Sequence, residues 1–354
     1  MKKRDKKKFK RKNIRLKNLS IDKIDEFYNE DVIEDKQAEK KIPEKSEKTL
    51  KSNIDLNKVR VIEVKTNYIC EVEVGDKKRE VTLGGRLKQL NLETRNIIAA
   101  GDYVNVDLSD NPRIEEILPR QNTLSRFSEK SFQQEIVIAA NIDQVVITAS
   151  LKQPDLNLSL IDRYLCAAAI SNVEPIICIN KIDMVESMEN IKKTMLYYKE
   201  HGFEIIYTSA EEKIGIDRLR TKLIDRDTVF SGHSGAGKSS LINCLQPDLD
   251  LDVSQISHYT NKGRHTTTRI RLLRWDFGGY LIDTPGIKTF GLHRDDKEHL
   301  PRIFPGFGEI ALKCKYSNCT HIHEKDCEVL KQFKKGDIPK DRYESYLRIM
   351  DSLS

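Results

Sequence analysis

The pattern of apolar and polar positions divides most of the chain into two zones of different character. Residues 58–119 contain five short runs in which apolar and polar residues alternate, at 59–64, 68–74, 80–83, 101–106 and 112–118, with a turn at 75–78. Alternation of this kind predicts half-buried strands. Five such strands in about 60 residues favour a small closed barrel, and we predict an OB-fold.

Between residues 143 and 286, continuous apolar runs replace the alternating pattern. The runs at 175–179, 203–207, 228–230 and 280–282 predict strands that are buried on both faces. Helices are predicted at 158–171 and 188–201, and a further helix is predicted near the C-terminus at 338–353. Strands that alternate with helices predict a parallel sheet covered by helices on both faces.

The first 57 residues carry no comparable pattern. Residues 1–19 contain eleven Lys and Arg and one Asp, and residues 20–57 are charged, with one short predicted helix at 21–27. We interpret residues 1–57 as a basic, disordered extension suited to a nucleic-acid backbone. A solvated tail without a partner and contact with an acidic membrane surface are the alternatives.

The amino-acid composition excludes some classes of protein but does not indicate a function. The 354 residues carry a net charge of +6, with 33% charged and 38% hydrophobic residues. No run of 18 apolar residues is present, which predicts no transmembrane helix, and no apolar stretch of a secretory signal follows the basic N-terminus. We therefore expect a cytoplasmic protein in a reducing compartment, with no membrane partner. We also expect a monomer.

The strongest chemical signature is Gly-His-Ser-Gly-Ala-Gly-Lys-Ser at 232–239, between a predicted strand and a predicted helix. It fits the P-loop pattern, in which backbone N–H groups and a helix N-terminus hold phosphates. Lys238 is expected to reach the β- and γ-phosphates, and Ser239 to hold Mg²⁺. The predicted GTP-binding residues of this segment are Gly232, His233, Ser234, Gly235, Ala236, Gly237, Lys238, Ser239 and Ser240.

A second motif, Asn180-Lys181-Ile182-Asp183, follows the buried strand at 175–179 and predicts that the base is guanine. The Asp183 carboxylate can accept hydrogen bonds from the guanine N1–H and N2–H₂ groups, a donor pair that adenine lacks. The Lys181 stem is expected over the base plane, and a backbone N–H at Ser209-Ala210 is expected to meet the guanine O6. This motif disfavours an ATP-dependent nuclease or transporter subunit.

The third motif is Asp283-Thr284-Pro285-Gly286, after the predicted strand at 280–282. Asp283 is expected to hold Mg²⁺ through water, and the Gly286 amide to sense the γ-phosphate. One of the three threonines at 266–268 is expected to reach Mg²⁺. Thr267 is favoured, although the register among the three is open. Mg²⁺ bound with GTP is therefore predicted on Ser239, Thr267 and Asp283.

The order of these motifs is unusual for a GTPase. The base motif precedes the P-loop, and the Asp283 motif comes last. A circular permutation preserves a site when the chain is cut and joined in exposed segments. The switch segments, at about 254–290, then lead directly into the C-terminal part of the chain.

A cluster of metal-ligand types follows. Cys314, Cys319, His321 and Cys327 supply three sulfurs and one imidazole within a short stretch. This set suits one structural, tetrahedral Zn²⁺ per chain. His323 is the competing imidazole, and unliganded thiols are the alternative for the whole cluster. The other four cysteines lie in apolar runs and are expected in the core.

A basic arm, a five-stranded barrel, a permuted GTPase and a Cys-Cys-His-Cys cluster, in that order, resemble the RsgA (YjeQ) family over about residues 58–354. The most specific marks are the motif order, the sequence Gly-Arg-His-Thr-Thr-Thr at 263–268 and the zinc-ligand spacing. The resemblance implies a multidomain protein. Its parts are an N-terminal OB-fold β-barrel at 58–119, a circularly permuted α/β P-loop GTPase at 120–290 and a C-terminal zinc-binding helical domain at 291–354.

The resemblance also implies an activity and a partner. The activity is hydrolysis of GTP to GDP and phosphate (EC 3.6.1.-), stimulated by the small (30S) ribosomal subunit. The implied partner is that subunit, bound through its rRNA near the decoding region, and the implied role is late maturation of the subunit. The alternative function is a nucleotide-switched rRNA-binding scaffold whose hydrolysis is incidental.

Catalysis departs from Ras-like GTPases at Ile287, which stands where a water-orienting Gln is expected. An aliphatic side chain cannot position water, which predicts slow unassisted turnover. We hypothesise that His265 orients or activates the water once the ribosome orders its loop; an RNA contact or an ordinary loop position is the alternative. Catalytic roles are thus predicted for His265, Lys238 and Thr267.

Overall fold

The structure is a computed structural model that describes residues 56–65, 68–88, 96–127, 135–249, 270–283 and 291–354. The predicted helix at 21–27 and the predicted site residues His265, Thr267 and Gly286 lie outside these residues. Within the described ranges, no helix is both long and apolar enough to cross a membrane.

The alternating region folds into a closed five-stranded barrel. Its strands are β1 (Leu56–Val64), β2 (Ile69–Val74), β3 (Lys77–Leu83), β4 (Tyr103–Asp107) and β5 (Arg113–Ile117), with the short helix α1 (Gly85–Lys88) after β3. The strand order is β1-β2-β3-β5-β4, and β1 also pairs with β4 to close the barrel. Alternate residues such as Val59, Val61, Val104 and Val106 fill its core. The predicted OB-fold is confirmed.

The turn between β2 and β3 is shorter than predicted. Val74 pairs directly with Lys77, so only Gly75 and Asp76 form the loop. Gly75 has φ +59°, the left-handed conformation that two-residue hairpin loops require. Lys77 and Lys78 therefore belong to β3.

The central part of the chain forms the expected layered α/β fold. Its strands are β8 (Gln144–Ser150), β9 (Glu174–Asn180), β10 (Glu204–Tyr207), β11 (Thr228–Gly232), β12 (Arg271–Arg274) and β13 (Tyr280–Asp283), in the order β10-β9-β8-β11-β13-β12. All neighbouring pairs are parallel except β12 with β13. A hairpin that the apolar pattern did not predict, β6 (Thr123–Phe127) with β7 (Glu135–Ala140), precedes β8.

Helices cover both faces of this sheet, as predicted. They are α2 (Leu158–Ser171), α3 (Glu189–Glu200), α4 (Ile216–Leu223) and α5 (Lys238–Leu245). One apolar cluster joins the sheet to α2 and α3, and a second joins it to α4 and α5. Asn157 caps α2 by accepting a hydrogen bond from the Leu160 amide, and Asn172 ends that helix in the left-handed conformation.

The barrel and the α/β part share one continuous sheet. Strand β12 pairs with β1 through Glu63 and Arg271, so the barrel strands continue the sheet beyond β12, on the side away from β10. Arg60 of β1 is buried here between the rings of Tyr103 and Tyr280, and its guanidinium pairs with Asp227 at the start of β11. The predicted domain boundaries at 57, 119 and 290 stay predictions.

The C-terminal part is helical, with α6 (Leu300–Ile303), α7 (Gly308–Ala311), α8 (Glu328–Lys335) and α9 (Lys340–Ser352). Helix α9 packs on α2 around a buried polar cluster. Asp162 of α2 accepts hydrogen bonds from Arg342 Nη1 at 2.6 Å, Ser345 Oγ at 2.5 Å and Tyr198 Oη at 2.7 Å. Asp162, Arg342 and Tyr198 are almost fully buried, so this pairing fixes the C-terminal helix on the α/β part.

Candidate guanine-nucleotide and zinc sites

The P-loop follows β11, and two of its glycines have physical reasons to be glycine. Gly232 has φ +143°, and a Cβ there would overlap the Thr148 carbonyl of β8. Gly237 has φ +92° directly before α5, and its Cβ would overlap the Asn180 side chain. The loop is therefore held close to β8 and β9 in a conformation that only glycine adopts without strain.

The Lys238 side chain folds back onto the first residues of the P-loop. Its Nζ donates to the carbonyl oxygens of Gly232 at 2.9 Å and His233 at 3.0 Å. Burial lowers the pKa of the Lys238 ammonium. A partly buried cation beside a helix N-terminus attracts anions strongly, because little water screens it. The buried hydroxyl of Ser239 lies next to it in the chain, whereas Ser234 and Gly235 are exposed at the loop surface.

The base motif contacts the P-loop directly. Asn180 ends β9, and its Nδ2 donates to the Ala236 carbonyl of the P-loop at 3.0 Å. Its Oδ1 accepts from Thr208 Oγ1 at 3.1 Å, which ties the end of β10 to the same amide. All three residues are buried. The structure thus brings together two motifs through residues that lie 56 positions apart in the sequence.

The residues predicted to read the base lie at the carboxyl end of β9 and β10. Asp183, in the 3₁₀ turn Ile182–Met184, is exposed and accepts a hydrogen bond from Ser209 Oγ at 2.5 Å. The Ser209 amide donates to the Ile214 carbonyl at 3.0 Å. Of the two predicted O6 donors, the Ala210 amide is therefore the one whose N–H makes no backbone hydrogen bond among the described residues.

Lys181 contacts a segment that the motifs did not indicate. It is left-handed (φ +62°), and its Nζ donates to the Gln153 carbonyl. The loop 151–157 therefore lies beside the base motif, and Pro154 lies near Gly235 of the P-loop. Gln153 was missed because it carries no motif. Thr208 stands directly before Ser209-Ala210 at a strand end, but the bond of its hydroxyl to Asn180 was not predicted.

Asp283 ends β13, the strand next to β11, so it lies at the same sheet edge as the P-loop. Burial raises the pKa of its carboxyl, and nearby Arg271 acts in the opposite direction. The Asp283 carboxylate and the Ser239 hydroxyl are hard oxygen donors of the kind that Mg²⁺ prefers, and Mg²⁺ keeps most of its remaining ligands as water and phosphate. These two residues therefore fit the predicted metal.

The four predicted zinc ligands converge. The sulfurs of Cys314, Cys319 and Cys327 and a ring nitrogen of His321 all lie within 4.8 Å of one another. His321 Nδ1 is 3.4 Å from Cys327 Sγ and 3.7 Å from Cys314 Sγ. Three sulfurs and one imidazole around a common centre match a closed, tetrahedral structural zinc site. His323, the competing imidazole, is exposed and is not in this group.

The surroundings prepare His321 for a metal. Its Nε2 lies 3.1 Å from the Pro301 carbonyl, so the ring proton belongs on Nε2 and the Nδ1 lone pair faces the sulfurs. Burial lowers the pKa of the imidazole, although the Pro301 contact opposes this, and a neutral ring is the form that binds metals. Backbone amides of Glu328 and Leu330 donate to Cys314 and Cys327 sulfurs at the start of α8.

Glu324 shapes the loop between these ligands. Its carboxylate accepts from the Thr320 amide at 2.7 Å, from the Thr320 hydroxyl, and from the amides of Ile322 and His323. Burial raises its pKa, but these hydrogen bonds outweigh burial and lower the pKa to about 2. The ionised carboxylate therefore holds the turn that presents Cys319 and His321.

Fold and site together define a P-loop GTPase with circularly permuted motifs, joined to an OB barrel and a Cys₃His cluster. The family model described as RsgA GTPase matches residues 117–293. The protein named small ribosomal subunit biogenesis GTPase RsgA from Christiangramia forsetii is 36% identical over 291 residues, covering 80% of this chain and 92% of that protein. Its namesake from Chlorobaculum tepidum is 38% identical over 301 residues, covering 81% and 95%.

Solved structures agree with this comparison. YjeQ from Thermotoga maritima superposes with a TM-score of 0.69 at 29% identity, covering 84% of this chain and 98% of that one. YloQ, described as a circularly permuted GTPase, gives 0.63 at 26% identity, covering 84% and 95%. The chain belongs to the RsgA GTPase family. It is a GTP-hydrolysing enzyme, and the predicted fold class and enzyme class are confirmed.

Proposed function

We propose that this GTPase binds the small ribosomal subunit, assists its late maturation, and hydrolyses GTP to GDP and phosphate faster when the subunit is bound. The observation that carries the proposal is the joining of a permuted GTPase site to an OB barrel through one continuous sheet. Relatives that this chain matches in sequence over most of their length carry the name small ribosomal subunit biogenesis GTPase.

The barrel surface supports an rRNA partner. Lys88 lies over the ring of Tyr68, an exposed tyrosine, with 5.3 Å between Nζ and the ring centroid. An exposed aromatic ring beside a cation suits stacking on a single-stranded base and contact with its phosphate. Arg113, by contrast, is paired with Glu115 at 2.5 Å, which makes it a weaker candidate for a phosphate. The basic extension at 1–57 is the second proposed contact.

The cofactors of the proposal follow from the donor sets. We propose that Mg²⁺ enters with GTP and is held by Ser239, Asp283 and Thr267, and that Gly286 contacts the γ-phosphate. One Zn²⁺ is proposed on Cys314, Cys319, His321 and Cys327, where it would hold the C-terminal loops together. Asn180, Lys181, Asp183 and Ala210 are proposed at the guanine, with Asn180 acting through the P-loop rather than on the base.

The turnover step needs a group that Ile287 cannot provide. We propose His265 for this role, because it stands beside the three switch threonines in the sequence. A histidine can hold water by hydrogen bonding and accept its proton near neutral pH. Binding of the subunit would then raise the turnover number by bringing His265 to the nucleotide.

The test is GTP turnover of the full chain with purified small subunits, large subunits or neither. Stimulation by small subunits alone is expected, and His265→Ala should lose most of it while keeping its GTP affinity. A rate that ignores the subunit, despite binding to it, would favour the nucleotide-switched scaffold instead. Removing residues 1–57 and titrating salt separates the contribution of the arm, since phosphate contacts weaken steeply as salt rises.

A further inference from the structure

Three charged residues lie directly opposite one another on the neighbouring strands β1, β12 and β13. Glu63 of β1 is the register partner of Arg271 in β12, and Arg271 is the register partner of Asp283 in β13. Directly opposed residues project from the same face of a sheet, with Cβ atoms about 4.5–5.5 Å apart. The row reads acid, base, acid, and it runs from the barrel to the carboxylate proposed to hold Mg²⁺.

The bond made by the central cation points toward the barrel. Arg271 Nε lies 2.9 Å from Glu63 Oε2, and the Glu63 side chain is only 7% exposed. Among the ion pairs of the described residues, Arg271 joins Glu63 and not Asp283. Arg271 is nevertheless close enough to Asp283 to oppose the effect of burial, which raises the pKa of that carboxyl. A buried anion with a directed bond is a strong competitor for this guanidinium.

Two other cations, Lys65 and Lys78, line the same groove as Glu63 and Arg271, and both already have partners. Lys65 pairs with Glu71 at 3.3 Å and with Glu80 at 2.9 Å, and Lys78 lies 3.7 Å from Glu71. If the negative charge of Glu63 were removed, Arg271 would keep one ionised carboxylate directly opposite it, that of Asp283. A guanidinium bonded there would repel a divalent cation at the same oxygen atoms.

We propose that Glu63 is a positioning residue of the nucleotide site: it draws the Arg271 guanidinium toward the barrel and leaves the Asp283 carboxylate available to Mg²⁺-bound water. The proposal rests on the Mg²⁺ role of Asp283 given under the proposed function, and not on the ribosomal partner. Its consequence is that a residue of the barrel sets the Mg²⁺ requirement of the GTPase.

The test measures Mg²⁺-dependent binding of a fluorescent GDP analogue to the full chain, without any turnover. Glu63→Gln is isosteric and should raise the Mg²⁺ concentration for half-maximal binding about threefold to fivefold, the upper part of the range for one cross-strand charge pair. Arg271→Met should leave that concentration unchanged or lower it. The double variant should return to within about twofold of the wild type, because the repelling cation is gone.

Glu73→Gln is the matched control. Glu73 pairs with Arg274 at the other end of β12. The register partner of Arg274 in β13 is Tyr280, which is not a carboxylate of the nucleotide site. It should leave the Mg²⁺ requirement unchanged. Binding of the analogue in EDTA should be equal in all variants, since the guanine and phosphate contacts are intact.

Several results would overturn the proposal. One is an unchanged Mg²⁺ requirement in Glu63→Gln, and another is a double variant whose requirement is raised as much as that of the single variant. A third is analogue binding to Glu63→Gln that is weakened equally with and without Mg²⁺, since this indicates general distortion of the site. If Glu63→Gln fails to fold, Arg271→Met alone tests the proposal. A raised Mg²⁺ requirement in Arg271→Met would then refute it. If Asp283→Asn leaves the wild-type Mg²⁺ dependence intact, the Mg²⁺ assignment fails first and this inference fails with it.

Discussion

The contact between Asn180 and the P-loop allows a quantitative prediction. In Asn180→Ala, the Ala236 carbonyl loses its buried donor, whereas the Thr208 hydroxyl keeps Cys178 Sγ at 3.4 Å as a neighbour. An orphaned buried acceptor costs about 1–3 kcal/mol, and the lost Thr208 bond adds about 0.5–1.5 kcal/mol. We therefore expect the free energy of unfolding to fall by about 2–4 kcal/mol.

Nucleotide affinity should fall as well, because the P-loop must be re-ordered when phosphate binds. If about 1–2 kcal/mol of the loss appears in binding, GDP affinity falls about fivefold to thirtyfold. Urea unfolding can be followed by the fluorescence of Trp275, the single tryptophan, which is buried in the α/β core. GDP affinity is measured by isothermal titration calorimetry.

Two further variants sharpen the test. Asn180→Asp keeps an acceptor for Thr208 but places a carboxylate against the Ala236 carbonyl, so it should be at least as damaging as alanine. Asn105→Ala removes a side-chain amide of the barrel whose one hydrogen bond among the described residues is to Glu116 at the surface, and it should leave GDP affinity unchanged. A stability loss below about 0.5 kcal/mol in Asn180→Ala, together with unchanged GDP affinity, would refute the reasoning, since an orphaned buried carbonyl is expected to cost more.

Three other changes have expected outcomes. Asp183→Asn should weaken GTP binding about thirtyfold or more and favour xanthine nucleotides, whose C2 carbonyl can accept from an amide, as competition binding would show. Arg342→Met leaves the Asp162 charge buried and unpaired, so the free energy of unfolding measured in urea should fall by about 3–5 kcal/mol. Its control is Arg348→Met on the same helix, which removes only an exposed ion pair with Glu344 and should lower that free energy by less than about 0.5 kcal/mol. Glu324→Gln should lower zinc affinity about tenfold to a hundredfold in chelator competition.

The local pattern of apolar and polar residues predicted a large part of the fold. The five strands of the barrel were predictable because alternation has the period of a half-buried strand. Continuous apolar runs predicted strands that are buried on both faces, and such strands require helices on both faces of the sheet. The β6–β7 hairpin was not predicted, since Ile136, Val137 and Ile138 form one apolar run without a clear turn signal. Strand β12 was missed because four residues, two of them arginine, show no strand period.

The sequence alone determined the chemistry that depends on spacing along the chain. A P-loop is one continuous segment, and four zinc ligands close in sequence need only a short loop to meet, so residue type and spacing were sufficient to place both. The structure alone decided which distant residues share an environment. Asn180 holds Ala236, Arg342 neutralises Asp162, and Glu63 stands in line with Asp283, each through strand order or helix packing. No local pattern records such pairs, because the free energy that selects them comes from burying polar groups with partners from elsewhere in the chain.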